Sequence, residues 1–284
     1  MWLFNVLCCM LSFIDGRSLQ QNSLNRYHVL TGIPRAYHIY QAEFFRIVGG
    51  KEVSSLADHP HQVGLVVTLN GGFTSVCGAS LISITRILTA AHCWWDGQIQ
   101  AIQFTVVLGS LTIFSGGTRL NTRDVVVHPS WNPNDIINDI AMVKVPRVNF
   151  NANIKPIALP KATDVNKDFS GMKGVITGYG KISDGQSSFP PSTRLYQNTV
   201  NIITNEVCQQ NFEMTIHSSH MCTSGQGGVG TCDGDSGGPL TVVWNNVRTQ
   251  VGIVSFGLGD GCQRGYPSVY TRITAHLSWI NSNL

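Results

Sequence analysis

A chain of 284 residues can form one or two domains and bury a sizeable core. Charged residues make up only 12% and glycines number 29, a balance that favours short strands and tight turns over long helices. The formal charge is +3; the first 46 residues hold four of the 19 bases and two of the 16 acids, leaving 15 against 14, which excludes an electrostatic case for nucleic acid or an anionic membrane.

Residues 1–14 are almost continuously apolar, with Trp2, Leu3, Phe4, Leu11 and Phe13. The run is too short to cross a bilayer and stands at the N-terminus, so it reads as a secretory signal with cleavage near Gly16. No later run approaches spanning length, and a soluble, secreted, extracellular protein is expected. Residues 17–46 are polar and mixed, without periodicity or cysteine, and end in Arg46-Ile47-Val48-Gly49-Gly50. Beyond them come short β-rich runs separated by turn signals: 62–69, a Gly71-Gly72 turn, 76–82, 86–90, 104–108, 123–127 and 140–145. Residues 146–167, with Pro156 and Pro160, read as a connection. A second series follows at 174–180, 194–203, 238–244, 250–255 and 268–272. Between them 204–212 reads as a short helix capped by Thr204, and 275–283 as a terminal helix. No internal repeat is visible.

The chemistry concentrates at Thr231-Cys232-Asp233-Gly234-Asp235-Ser236-Gly237-Gly238-Pro239. Glycines around Ser236 allow a sharp turn that leaves the hydroxyl open. They also keep side chains away from the Gly234 and Ser236 amides, which can then face a developing oxyanion. Taken alone, this stretch could equally be a glycine-rich surface turn. A serine needs a base to become a nucleophile, and Leu88-Thr89-Ala90-Ala91-His92-Cys93 offers one. Asn138-Asp139-Ile140-Ala141-Met142 offers a carboxylate to orient it. His59, His61, His128, His217, His220 and His276 lack such a context and read as surface or satisfied core residues.

The order His92, Asp139, Ser236 is that of the chymotrypsin-type triad. With these motifs the chain resembles the secreted trypsin/chymotrypsin-like serine proteases from Ile47 to near the C-terminus, including the invertebrate digestive chymotrypsin and brachyurin-type enzymes. The resemblance implies an all-β fold of two six-stranded antiparallel β-barrels packed across a cleft. It sets the barrels at about 47–160 and 161–272, with a C-terminal helix at 273–284, after a signal (1–16) and an activation propeptide (17–46). It implies catalysis by Ser236, His92 and Asp139, with Ser236 hydrogen-bonded to the imidazole and Ser255 to Asp139, and with an oxyanion hole from the Gly234 and Ser236 amides. Cleavage after Arg46 would free the Ile47 ammonium to pair with Asp235. Of the eight cysteines, Cys8 and Cys9 fall in the signal. The other six, which formally allow other pairings and lack the CxxC spacing of a zinc site, would pair as Cys77–Cys93, Cys208–Cys222 and Cys232–Cys262.

The family's pocket positions fall on Gly230 at the base and on Gly257 and Ser268 at the walls. Without a carboxylate at Gly230, a buried substrate cation would go unpaired, which disfavours cutting after Arg or Lys. An open uncharged slot suits Phe, Tyr, Leu or Met, while Gly230 with polar Ser268 also resembles collagenase-type members of broad or elastase-like specificity. Asp233 at the mouth could attract a nearby cation or be merely solvated. Ser255, Phe256 and Gly257 would offer an edge strand to an extended peptide. The expected partners are protein or peptide substrates, an activating trypsin-like protease and protein protease inhibitors, with neither nucleic acid nor membrane, for a monomer. No cofactor or metal is expected: residues 110–123, where some relatives bind calcium, hold no acid. No N-x-S/T sequon occurs. The competing class is an inert protease homologue acting as a binding module, which loss of a triad member would favour.

Overall fold

The computed structural model describes residues 27–28, 50–180, 194–258 and 261–284. The signal, most of the 17–46 stretch, and Arg46 and Ile47 lie outside the described residues. Two antiparallel sheets carry the fold. The first is ordered β6-β5-β2-β3-β4-β8-β7, from β2 (Gln62–Leu69), β3 (Thr74–Leu81), β4 (Arg86–Thr89), β5 (Ala101–Leu108), β6 (Thr118–Thr122), β7 (Val125–Val127) and β8 (Ala141–Lys144). The second joins β1 (Lys51–Glu52), β9 (Lys173–Gly178), β10 (Tyr196–Ile203), β11 (His220–Thr223), β12 (Pro239–Trp244), β13 (Val247–Phe256) and β14 (Ser268–Arg272). In it β10 pairs with both β11 and β9, which closes six strands into a barrel and leaves β1 as an appendage of β10.

The first sheet departs from the expected closed barrel. It curls until its end strands, β6 and β7, are neighbours in sequence, but these two are not laddered to each other. Arg123 and Asp124 separate them; the Asp124 amide is taken by the Thr122 hydroxyl at 3.1 Å, and the Asp124 carbonyl by the Lys144 amide at 2.9 Å. The strand expected at 123–127 is thus shortened to β7, and β6 before it was not expected.

Alternation explains the cores. Val63, Leu65, Val67 and Leu69 on β2 share a buried face with Phe104, Val106 and Leu108 on β5. Ile176, Val200, Ile202, Leu240, Val242 and Val251 fill the second barrel. Between the sheets, Thr177 donates to Gln62 and Ser80 to Gln250, each at 2.6 Å in buried surroundings. The Ser236 loop approaches the first sheet closely at Gly78, where an added Cβ would lie 2.9 Å from the Gly238 Cα.

Three short strands escape the sequence patterns. β6 is mostly exposed and polar, β1 spans two residues, and β11 (His-Met-Cys-Thr) is buried throughout and shows no alternation. The helix after Thr204 is α1 (Asn205–Gln209), shorter than expected, with the Thr204 hydroxyl accepting from the Val207 amide at 3.4 Å. A 3-10 turn at Ile273–His276 precedes α2 (Leu277–Ser282). Disulfides join Cys77 to Cys93, Cys208 to Cys222 and Cys232 to Cys262.

Candidate active site

His92 sits in the 3-10 turn Ala91–Cys93 that follows β4, and the bridge from Cys93 to Cys77 fastens this turn to β3. Asp139 lies just before β8, where Ile136 and Asn138 adopt φ of 54° and 59°. A β-branched residue in that region is strained, and both are held from outside. The His220 imidazole pairs with the Ile136 carbonyl at 2.8 Å, and the His276 ring with the Asn138 side chain at 3.1 Å.

The Asp139 carboxylate is fully buried. It accepts from the His92 amide at 2.9 Å, from His92 Nδ1 at 2.8 Å and from the Ser255 hydroxyl at 2.6 Å. Ser255 is aimed there by a register shift between Val254 and Phe256 in the β13–β14 ladder. Burial pushes the carboxyl upward, but the neighbouring His92 charge and these hydrogen bonds outweigh it and hold Asp139 below the ordinary carboxylate range. An ionised Asp139 fixes the proton of His92 on Nδ1, which leaves Nε2 as the basic atom.

Ser236 lies in the loop between β11 and β12, flanked by Gly234 (φ 91°) and Gly237 (φ 82°). A side chain on Gly237 would collide with the Gly78 carbonyl and the Thr89 hydroxyl, so the second sheet's loop nests directly on the first sheet. The Ser236 carbonyl accepts from the Gly78 amide at 2.7 Å. Among the described residues, neither the Gly234 nor the Ser236 amide donates to a backbone carbonyl, unlike those of Asp235, Gly237 and Gly238. Asp235 is buried and accepts from the amides of Gly180 at 2.7 Å and Cys232 at 3.0 Å.

One expected contact is not made. Among the described residues His92 Nε2 has no hydrogen-bond partner, so Ser236 is not bonded to it. The imidazole instead meets the ring of Tyr27, centroids 4.8 Å apart at 63°. Sequence reasoning gave Tyr27 and His28 no role, since one aromatic in an aperiodic polar stretch carries no signal. The other point of interest is Cys77, His92 and Cys93, whose candidate ligand atoms lie within 4.8 Å of one another. The disulfide consumes both thiols of that cluster, so it offers no thiolate to a metal.

At the positions expected to form a specificity pocket, Ser268 Oγ accepts from the Thr231 amide at 3.3 Å, and a Cβ on Gly230 would come within 2.9 Å of that hydroxyl. A Cβ on Gly257 would meet nothing within 4 Å. The Phe256 ring turns away to pack edge-on against Phe212 and His220, and Asp233 is half-buried.

Ser236 is 9% exposed, so its hydroxyl is less open than the glycines around it suggest. An oriented base and a serine in a glycine-rich loop between two antiparallel sheets fit hydrolases that act through an acylated serine. The chain belongs to the trypsin family, whose model matches residues 47–280, and it is a serine endopeptidase. It is 34% identical over 247 residues to the collagenase of Hypoderma lineatum, covering 86% of this chain and 90% of that one. Brachyurin of Leptuca pugilator is 38% identical over 242 residues, covering 83% and 97%. A solved structure of HL collagenase superimposes with a TM-score of 0.75 at 33% identity, covering 84% of this chain and 98% of that one. Among the described residues, no helix is long and apolar enough to cross a membrane.

Proposed function

We propose that the protein is a secreted zymogen whose processed form cuts peptide bonds after a range of uncharged side chains, in the manner of its collagenase and brachyurin relatives. Ser236 Oγ attacks the peptide carbonyl while His92 Nε2 takes its proton and later returns it to the leaving amine. Asp139 keeps the imidazole in the required tautomer and stabilises its charged form. The Gly234 and Ser236 amides receive the oxyanion. Cleavage after Arg46 by a trypsin-like protease would release the Ile47 ammonium as a counter-ion for buried Asp235, an arrangement stable only while both are charged. The Cys77–Cys93 and Cys232–Cys262 bridges brace the turns that carry His92 and Ser236.

The observation that carries the specificity is the uncharged floor. The Ser268 hydroxyl lies against Gly230, and among the described residues a Cβ at Gly257 would meet nothing within 4 Å. A neutral hydroxyl neither pairs with a substrate cation nor demands an aromatic ring. Hydrolysis of a peptide library varied at the residue before the cut tests this. Leu, Phe, Tyr, Met and Gln should fall within about tenfold of one another, about 1.4 kcal/mol and so at the low end of the ~1–3 kcal/mol by which pocket contacts discriminate. Dominant cutting after Arg or Lys would overturn the proposal. A second reading, chymotrypsin-like preference for large apolar side chains, is favoured by the open space beside Gly257 and would appear as Phe and Tyr standing well apart from Gln.

A further inference from the structure

Tyr27 and His28 are buried, 4% and 0% exposed, and Tyr27 packs with the first sheet's core beside His92. Beyond its ring contact with His92, Tyr27 donates its phenol to the Val76 carbonyl at 2.5 Å. The phenol oxygen lies 3.6 Å from Cys77 Sγ, and the other sulfur of that bridge, on Cys93, lies 3.7 Å from the Ser236 carbonyl. One residue on, the His28 amide donates to Asp96 Oδ2 at 3.0 Å. Asp96 is itself fully buried, its other oxygen held by the Gln98 and Ile99 amides at 2.9 and 2.7 Å. The seat therefore has an aromatic wall formed by the catalytic base, a carbonyl for a phenol and a fixed carboxylate for the next backbone N–H. A chain lying loosely on the surface would leave its polar groups in water. Here a phenol and an amide have been desolvated against matched acceptors.

We propose that this seat is a subsite for a tyrosyl residue of a peptide, and that the chain's own Tyr27–His28 fills it, so the uncut protein carries an occupant of its own cleft. The proposal rests on the reading of His92 and Ser236 as the hydrolytic pair. Tyr27 packs on the imidazole that must receive the serine proton, so substrate and segment exclude one another. A tethered segment acts at an effective concentration of about millimolar, so weak intrinsic affinity is enough to fill the seat in the intact chain. Tyr27 precedes Arg46, and no cysteine lies within 17–46. A cut after Arg46 thus turns the occupant into a separate peptide that dilution removes.

The test uses the full chain carrying Arg46→Gln to prevent processing. Two rates are read by mass spectrometry: alkylation of His92 by bromoacetamide and phosphorylation of Ser236 by diisopropyl fluorophosphate. Tyr27→Ala should raise His92 alkylation by about tenfold or more, the scale expected for losing one buried hydrogen bond and a ring contact. Tyr27→Phe, which keeps the ring and loses the phenol, should fall between. A synthetic peptide of residues 22–32 at millimolar concentration should restore protection to the Tyr27→Ala chain, and the same peptide with alanine for Tyr27 should not. Equal His92 alkylation in parent and Tyr27→Ala chains would overturn the proposal. Failure of the hydrolase reading shows separately, as no selective labelling of Ser236 in the processed parent chain, and the His92 rates of the unprocessed chains still decide the subsite.

Discussion

On the proposed reading, Gly257 and Ser268 line the slot that a substrate side chain enters. The space beside Gly257 is empty for a Cβ and its φ is ordinary, so Gly257→Val should fold normally while narrowing the entrance. It should lower kcat/KM for a Phe substrate by tenfold or more, leaving an Ala substrate within about threefold, a change of the size pocket sterics give. Equal losses on both would place the binding slot elsewhere. Gly230→Asp would set a carboxylate beside the Ser268 hydroxyl and should raise cutting after Arg relative to Leu, because the substrate cation then gains a partner. At this scale the bond from Ser236 to His92 that the resemblance implied is not made among the described residues, but the pairing of His92 with Asp139 was legible from their short contexts. Tyr27 was not, because its meaning comes from an imidazole sixty-five positions away in sequence.

The turn before β8 presents Asp139, and two histidines from elsewhere in the chain keep it in shape. His220 comes from β11 and is held neutral, since burial pulls it down to about 4 against weaker opposing contacts. His220→Ala should leave the strained Ile136 carbonyl without its partner and let Asp139 drift. The expected result is a fall in kcat of about tenfold with KM little changed, the pattern for a group felt mainly in the transition state. An equal rise in KM would mean that the substitution disturbs binding instead. On the same element, Cys208–Cys222 spans 14 positions, so replacing both with alanine should cost about 3 kcal/mol in urea unfolding by the loop-entropy argument. Elements with regular alternation, such as β2 and β10, could be read from sequence. β11 could not, because a strand covered on both faces shows no alternation, and the break between β6 and β7 depends on hydrogen bonds from Thr122 and Lys144 that no local pattern announces.

For the molecule as a whole, the proposed mechanism requires the two sheets to meet closely enough to bring Ser236 to His92. Gly78→Ala would press a methyl into the Gly238 backbone and should impair both stability and turnover. The same seam explains a pH dependence. Burial, reinforced by His59 and Arg248, lowers His61 from 6.5 to about 3, and His220 likewise falls to about 4. The unfolded chain takes up these protons below its ordinary value of 6.5 while the folded chain refuses them. Their contribution is therefore complete above 6.5 and is lost as pH falls toward 4 and then 3. Urea midpoints should decline between pH 7 and 4.5, and His61→Leu should flatten that slope; an unchanged slope would contradict the assignment. The most direct test of the whole account is kcat/KM of the processed protein on an internally quenched Leu-containing peptide, compared with Ser236→Ala. A loss of roughly 10⁴-fold or more with an unaltered melting temperature is predicted, and retention of near-parental hydrolysis by Ser236→Ala would contradict it.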